Sequence, residues 1–333
     1  MNRRAIWSCA AVFALGLSGR AEAGVFSGTL FYTNFTGGQN VNDVTYSYND
    51  VTKVLTVGAA TNIASSNGAD GIIFATNGNL LIGGQGSGNV YEYTTGGTLV
   101  STGSAGGASF HLALAPNGSA VYTSNFEGPL AVLPLSPHVG NTPQTYAING
   151  DDHGVTQLAF APSGAVFYQN GNPNGFGDVG TINISNLNNI QTSRIFTSLR
   201  PAHGIIYDSY TGLITLFGAG SVGSFDPLLP LLTLKERDGI NSDFDQGSVD
   251  GQGHAFIAGN GQLTFIDYRA SHDITDPSNP TFIVNGFGGI DDLAPLSGVG
   301  SQNPVPEPST LMLLATGGVG LVVRTIRRRR QAA

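Results

Sequence analysis

The stretch His111-Leu-Ala-Leu-Ala-Pro-Asn-Gly118, running into Ala120-Val-Tyr-Thr-Ser124, is the unit from which the fold is read. A short apolar strand meets a tight turn, and a second apolar strand follows. The same phrase returns as Gln157-Leu-Ala-Phe-Ala-Pro-Ser-Gly164 before Ala165-Val-Phe-Tyr168, and as Asp70-Gly-Ile-Ile-Phe-Ala-Thr-Asn-Gly78 before Asn79-Leu-Leu-Ile-Gly83. It returns again as His203-Gly-Ile-Ile-Tyr-Asp-Ser-Tyr-Thr-Gly212 before Leu213-Ile-Thr-Leu-Phe217, and as Gln246-Gly-Ser-Val-Asp-Gly-Gln-Gly253 before His254-Ala-Phe-Ile-Ala258. The anchor glycines 78, 118, 164, 212 and 253 stand 40, 46, 48 and 41 residues apart. That period, with about four short strands per unit, is the signature of propeller blades. Glycine supplies the positive-φ residue of each hairpin turn. Third strands follow, as in Asn89-Val-Tyr-Glu-Tyr93 and Leu263-Thr-Phe-Ile-Asp267. Between the two chain ends no segment shows helical periodicity.

The ends complete the count. Gly289-Ile-Asp-Asp-Leu-Ala-Pro295 has the form of a first strand whose partners are missing. Thr29 to Thr33, Val44 to Tyr48 and Val54 to Val57 are strands that lack a first one. Joined, they make a sixth blade closed by both ends, which removes the open sheet edge. The expectation is an all-β, six-bladed β-propeller over residues 24–300. Seven blades is the other count the spacing allows.

Each unit carries one polar residue where its first strand begins: Asp70, His111, Gln157, His203, Gln246 and Asp292. In a propeller that register faces the top of the central channel. Asp70, His111, His203 and Asp292 offer carboxylates and imidazoles suited to a divalent cation or to orienting a glycan. The same six residues also read as a polar plug. His153 and His254 read as loop or blade residues. The acidic pairs Asp151-Asp152, Asp243 with Asp245, and Asp291-Asp292 lack calcium-loop spacing and read as solvated charge. Gly218-Ala-Gly-Ser-Val-Gly223 has the letters of a dinucleotide loop, but Ser224-Phe-Asp-Pro227 cannot open a helix, so it reads as a blade turn. No Gly-x-Ser-x-Gly elbow, His-Glu-x-x-His or P-loop is present, so triad hydrolase, zincin and nucleotidase readings have no motif support.

Residues 24–303 hold six basic against twenty acidic residues, a net charge of −14. A domain that acidic repels nucleic acid and anionic surfaces and is compatible with cations, neutral glycans or basic partners. The single cysteine, Cys9, precedes this region, so the domain has no disulfide or thiolate chemistry. Its length suffices for a large core without staples. Abundant glycine, 48 of 333 residues, favours turns over helices.

Both chain ends carry topogenic signals. Asn2-Arg3-Arg4, the apolar run Ala5 to Leu17 and Ala21-Glu22-Ala23 form a secretory signal peptide, 1–23, with cleavage expected after Ala23. At the other end stand Pro306-Glu307-Pro308, an apolar stretch over 309–323 and an Arg-rich tail over 324–330. The prolines bar a helix and hold Glu307 extended. The apolar stretch is shorter than the roughly 20 residues that span a bilayer comfortably. The arginines should stay cytoplasmic, leaving Glu307 outside. Residues 301–333 resemble the PEP-CTERM sorting signal of Gram-negative bacteria, which an exosortase, a membrane cysteine transpeptidase, recognises and removes. The resemblance implies exosortase as a partner, transient residence in the inner membrane, and hand-over to the cell surface or an exopolysaccharide matrix. A plain C-terminal membrane anchor is the competing reading.

The phrases Ala115-Pro-Asn-Gly118 and Pro201-Ala-His-Gly-Ile205 make residues 25–297 similar to the NHL, SMP-30 and streptogramin-lyase-like propellers. That resemblance implies a metal-dependent lyase or lactonase working in the channel. The register here holds Asp, His and Gln, which departs from the Glu, Asn and Asp of the lactonase pattern. With no catalytic motif, the first reading is non-enzymatic: an exported binding or structural module for exopolysaccharide or another envelope glycan, with a divalent cation as its only candidate cofactor. The second is the lyase or lactonase.

Overall fold

A computed structural model describes residues 24–295, apart from 35–37, 108, 126–127, 172–176, 202, 219 and 241–245. The signal peptide and the sorting tail lie outside the described residues, as does the Asp243–Asp245 pair. Blade 1 holds β1 (Val25–Thr33), β2 (Val41–Asn49), β3 (Val54–Val57) and β4 (Thr61–Ala64). Blade 2 holds β5 (Ala69–Phe74), β6 (Leu80–Gly84), β7 (Asn89–Tyr93) and β8 (Leu99–Ser104). Blade 3 holds β9 (Leu112–Leu114), β10 (Ala120–Thr123), β11 (Leu130–Pro134) and β12 (Gln144–Tyr146). Blade 4 holds β13 (Ile148–Gly150), β14 (Gln157–Phe160), β15 (Val166–Gly171), β16 (Gly177–Asn183) and β17 (Ile190–Leu199), with β13 added in parallel on β17. Blade 5 holds β18 (Gly204–Asp208), β19 (Leu213–Gly218), β20 (Ser221–Phe225) and β21 (Lys235–Asp238). Blade 6 holds β22 (Gly247–Val249), β23 (His254–Asp267) and β24 (Thr281–Gly289). The last strand, β25 (Leu293–Pro295), returns to blade 1. Among the described residues the one helix is a 3-10 turn, Leu187–Asn189, and none is long and apolar enough to cross a membrane.

The count is six. β25 pairs antiparallel with β1, setting Leu30 against Pro295, Phe31 against Ala294 and Tyr32 against Leu293. The closing strand is shorter than its sequence form suggests, because Gly289 ends β24 of blade 6 and only Leu293–Pro295 is strand. The two strands expected at His254–Ala258 and Leu263–Asp267 run together as β23, bent back at Gly261 (φ +80°). Its first half pairs with β22 and its second with β24. The two halves meet where the Tyr268 N–H donates to the Gly253 carbonyl at 2.9 Å. All five anchor glycines have positive φ, between +69° and +94°. At the first, Gly78 N–H donates to Ala75 O, closing the hairpin. Gly218 and Ser221 face each other across a blade hairpin, so the dinucleotide-like letters there are a turn.

The core is a ring of six interfaces. One buried cluster lies between each neighbouring pair of blades. In β1 the alternation divides the strand between two of them: Leu30 and Tyr32 face blade 6, while Phe31 faces blade 2. Buried polar links span some of the same joints. Tyr48 donates to Asp267 at 2.7 Å, beside Lys53 at 2.9 Å, joining blades 1 and 6. Tyr268 donates to Asp208 at 3.0 Å, joining blades 6 and 5.

Glu92 of β7 joins blade 2 to blade 3. It accepts from Asn77 (2.9 Å), Asn79 (2.6 Å) and the Val139 N–H (3.0 Å), with His138 Nδ1 at 3.0 Å. Burial alone would raise its carboxyl, but these donors outweigh it and hold the group below the usual range.

Two outcomes are expected. Truncation after Gly288 removes β25 and with it Leu293 and Asp292, so the whole domain should melt at a lower temperature; an unchanged melt would refute closure by β25. Glu92→Gln should cost about 1.5–3 kcal/mol at neutral pH, the range for hydrogen bonds to a charged group. Because the folded carboxyl is depressed, its contribution is present above about pH 4.3, the unfolded value, and fades as pH falls through the folded one. Denaturant titrations from pH 7 to 3 should therefore show the gap between wild type and variant closing in acid.

Candidate functional site: the polar ring on the channel axis

The six ring residues predicted from the repeat sit at the start of the innermost strands, and all six are buried. Asp70 lies at the head of β5 and Gln157 opens β14. His111, His203, Gln246 and Asp292 each stand one residue before β9, β18, β22 and β25. The structure brings them into mutual contact. His111 Nδ1 lies 2.8 Å from Asp292 Oδ2 and 3.7 Å from Asp70 Oδ1. Across the axis His111 Nε2 lies 3.2 Å from His203 Nδ1, the two rings meeting edge to face at 5.0 Å. The Gln246 amide, oriented to satisfy its neighbours, donates to both Asp292 oxygens (3.1 and 3.0 Å) and accepts from Gln157. Gln157 Oε1 in turn accepts from the Ile205 N–H at 2.8 Å.

Two devices that the repeat does not advertise hold this ring. Thr33, the last residue of β1, donates its hydroxyl to the Asp70 carbonyl (2.5 Å) and accepts from the Asp292 N–H (3.1 Å). It thereby fixes both carboxylate-bearing segments to one strand. The second is close backbone approach. A Cβ on Gly71 would stand 2.6 Å from Phe110 O and 2.7 Å from His111 Cα. Asp70-Gly71, His203-Gly204 and Gln246-Gly247 repeat the ring-residue-then-glycine order. That dipeptide was the available signal that first strands meet at the axis.

The electrostatics follow from burial. A carboxylate accepts and cannot donate, so His111 Nδ1 carries a proton toward Asp292. Burial, reinforced by the neighbouring His111, pushes His203 well below the ordinary histidine range and leaves it neutral. Donor atoms of Asp70, His111 and Asp292 lie within 4.8 Å of one another, a set that could hold a cation. His203 stands on the far side of His111, outside that set. Beside the ring is a small recess of about 150 Å³, touched by His111, Gln157, Thr123 and Ser124.

The other sequence candidates fall elsewhere. His254 is buried in blade 6 against Asp250 at 2.7 Å, and His153 is exposed on a loop. Asp151 is exposed as the sequence reading expects, but Asp152, Asp291 and Asp292 are buried, which corrects that reading for these three. Asp152 is buried against Arg194 at 2.7 Å and also accepts from Tyr168, while Asp291 and Asp292 are buried beside β1. Burial would raise the Asp152 carboxyl, but Arg194 and Tyr168 outweigh it and hold it low. The reason is the partners each meets: Arg194 and Tyr168 draw Asp152 inward, and the Asp291 N–H donates to the Thr33 carbonyl of β1.

Comparison with known proteins bears on the two parts separately. Residues 304–329 match the PEP-CTERM protein-sorting motif. This chain carries that sorting motif. No curated protein matches the chain. Among solved structures, the periplasmic gluconolactonase of Pseudomonas aeruginosa is 14% identical and covers 80% of this chain and 98% of its own, with a TM-score of 0.56. Streptogramin B lyase is 12% identical, covers 78% of this chain and 80% of its own, and has a TM-score of 0.47. Virginiamycin B lyase from Staphylococcus aureus is 10% identical, with 79% and 89% covered and a TM-score of 0.47. The likeness to the gluconolactonase supports the overall fold, and the six blades are counted from this chain's own sheets.

If the ring is a self-satisfied plug, removing one of its charges leaves partners stranded. Asp292→Ala in chelator should then lower the unfolding free energy by about 3–5 kcal/mol, the cost of breaking a buried pair. Equal or greater stability would mean that the two carboxylates repel one another and wait for a cation.

Proposed function

We propose that this protein is exported, released from the inner membrane by an exosortase and delivered to the envelope or extracellular matrix of a Gram-negative cell, where it acts as a binding or structural module. The PEP-CTERM motif at 304–329 is the observation that carries the sorting half. Three features support the module half. The sequence holds no catalytic motif, His111 bonds to Asp292 and His203 while Gln246 bonds to Asp292 and Gln157, and the adjoining recess is too tight to admit a water molecule. An acidic surface rich in Asn, Ser, Thr and Gly suits neutral polysaccharide and excludes nucleic acid.

A second reading has its own observation. Asp70, His111 and Asp292 present a mixed nitrogen and oxygen donor set compatible with a divalent cation. Such a cation would supply Lewis-acid polarisation of an ester or lactone carbonyl. The fold shared with the Pseudomonas gluconolactonase makes the class of substrate concrete: a sugar lactone.

One experiment addresses sorting. Replacing Pro306, Glu307 and Pro308 with Ala should leave the apolar segment intact but block cleavage, so that intact-mass analysis finds the full tail in the inner-membrane fraction. The same cleaved mass from mutant and parent would instead mean that the tail is a simple anchor. A second measurement separates the two readings. The module reading expects no calorimetric heat with Zn²⁺, Mn²⁺ or Ca²⁺ and no lactone opening above buffer. Saturable heat that Asp70→Asn abolishes, together with lactone turnover, would establish the enzyme reading in its place.

A further inference from the structure

We infer that the end of the propeller opposite the ring is its membrane face, and that the loop Asp226–Leu234 rests Leu228, Leu229 and Leu231 on a lipid bilayer while the tail still holds the chain. The inference rests on the sorted-export reading for its tether and goes beyond it in assigning a face and a lipid-contacting loop.

Strand direction defines the two ends. The ring residues meet at the heads of the innermost strands, so β5, β9, β14, β18, β22 and β25 all run from the ring end to the far end. In blade 5, Asp208 at the foot of β18 pairs with Leu213, and Ser224 near the foot of β20 pairs with Lys235 at the start of β21. The loop between β20 and β21 therefore projects from the far end. In blade 1, Leu30 pairs with Pro295 and Tyr32 with Leu293, so β1 enters from the far end and β25 leaves toward it.

Three independent features coincide there. The first is exposed apolar surface. Leu231 is 81% exposed and Leu228 72%; Leu228 lies between Pro227 and Pro230 and Leu231 follows Pro230, prolines that stiffen the loop. Val51 and Val54 on the β2–β3 turn and Leu99 at the foot of β8 are also more than half exposed at this end. Among the described residues none of the strongly exposed large apolar side chains stands at the ring end. The second is the exit of the chain. Both termini of the propeller, Val25 and Pro295, lie at the far end, so both membrane-directed segments attach to this face. The third is tether length. Thirteen residues separate Pro295 from Ser309, where the apolar segment begins. Whatever path they take, they can reach at most about 45 Å. A tether that short, attached on this face, keeps the leucine loop within reach of the headgroups. Lys53 and Lys235 at this end are paired with Asp267 and Asp273, so the contact proposed rests on the apolar side chains and the tether rather than on charge.

The lipid-contact assignment is tested on the mature chain, 24–333, reconstituted in phosphatidylethanolamine and phosphatidylglycerol vesicles. The mature chain has no cysteine, so an environment-sensitive fluorophore can be attached at Leu231→Cys and, as a control at the ring end of the same blade, at Asp238→Cys. Both chains should co-sediment with vesicles. The Leu231→Cys probe should shift to shorter wavelength and lose intensity to nitroxide-labelled lipid, and the Asp238→Cys probe should do neither. Replacing Leu228 and Leu229 with Ser in the Leu231→Cys chain should reverse the shift without changing the melting temperature, since these side chains are exposed. Co-sedimentation with an unshifted Leu231→Cys probe would overturn the membrane face and leave sorting intact. Loss of co-sedimentation would overturn the tether, and with it the sorting reading. A shift that grows with protein concentration in the absence of lipid would overturn it in favour of a second copy of this chain.

Discussion

The short pairing of β25 with β1 is the constraint on which the rest of the molecule depends. A propeller blade has two apolar faces, and each needs a neighbour. Leu30 and Tyr32 fill the interface with blade 6, and Phe31 fills the one with blade 2. Leu293 and Ala294 of the closing strand divide in the same way. Without β25 both interfaces of blade 1 lose their inner wall, and the first and last sheets acquire open edges. Six clusters of similar make-up then count as a closed cycle rather than a stack, so no single blade is stable apart from the ring.

Closure also creates the chemistry on the axis. Six strand heads are forced together where there is no room for bulk; Gly71 and Gly204 admit neighbouring backbone, and Gly247 makes room for the Phe217 ring. Whatever occupies the preceding position is buried against the other five. Polar residues there must satisfy one another, because a buried unpaired group costs more than a lost bond. The observed answer is a chain from Gln157 through Gln246 to Asp292, His111 and His203. The same chain is a reason to regard the ring as structural before regarding it as a site. Its donors and acceptors face inward, and the neutral state of His203 removes one charge that would otherwise lie buried.

What could be read from the sequence was what repeats. Hairpin glycines recur at one place per blade because a positive-φ turn has few other solutions, and this set the blade count and the register of the ring. Contacts between blades do not repeat and were not legible. Nothing in the spacing of His111 and His203 tells that their rings meet at 5.0 Å, since that depends on how blades three and five converge. Asp152 and Asp291 looked solvated because a doublet of acids usually is; their burial depends on Arg194, Tyr168 and β1, far away in sequence. Thr33 read as an ordinary strand end, yet it binds both Asp70 and Asp292.

The direction of the innermost strands links the fold to the sorting signal. Because every ring residue heads its strand, every innermost strand leaves the axis toward the far end, and the last one must deliver the chain there. A tail that follows a closing innermost strand therefore departs from the face opposite the ring. In the proposed orientation the ring end is turned away from the membrane. The closing strand is also the last described strand, so the propeller can be completed only once the chain through Pro295 is available. Closure and the sorting motif use neighbouring pieces of chain: the pairing that shuts the ring ends at Pro295 and the motif begins at residue 304.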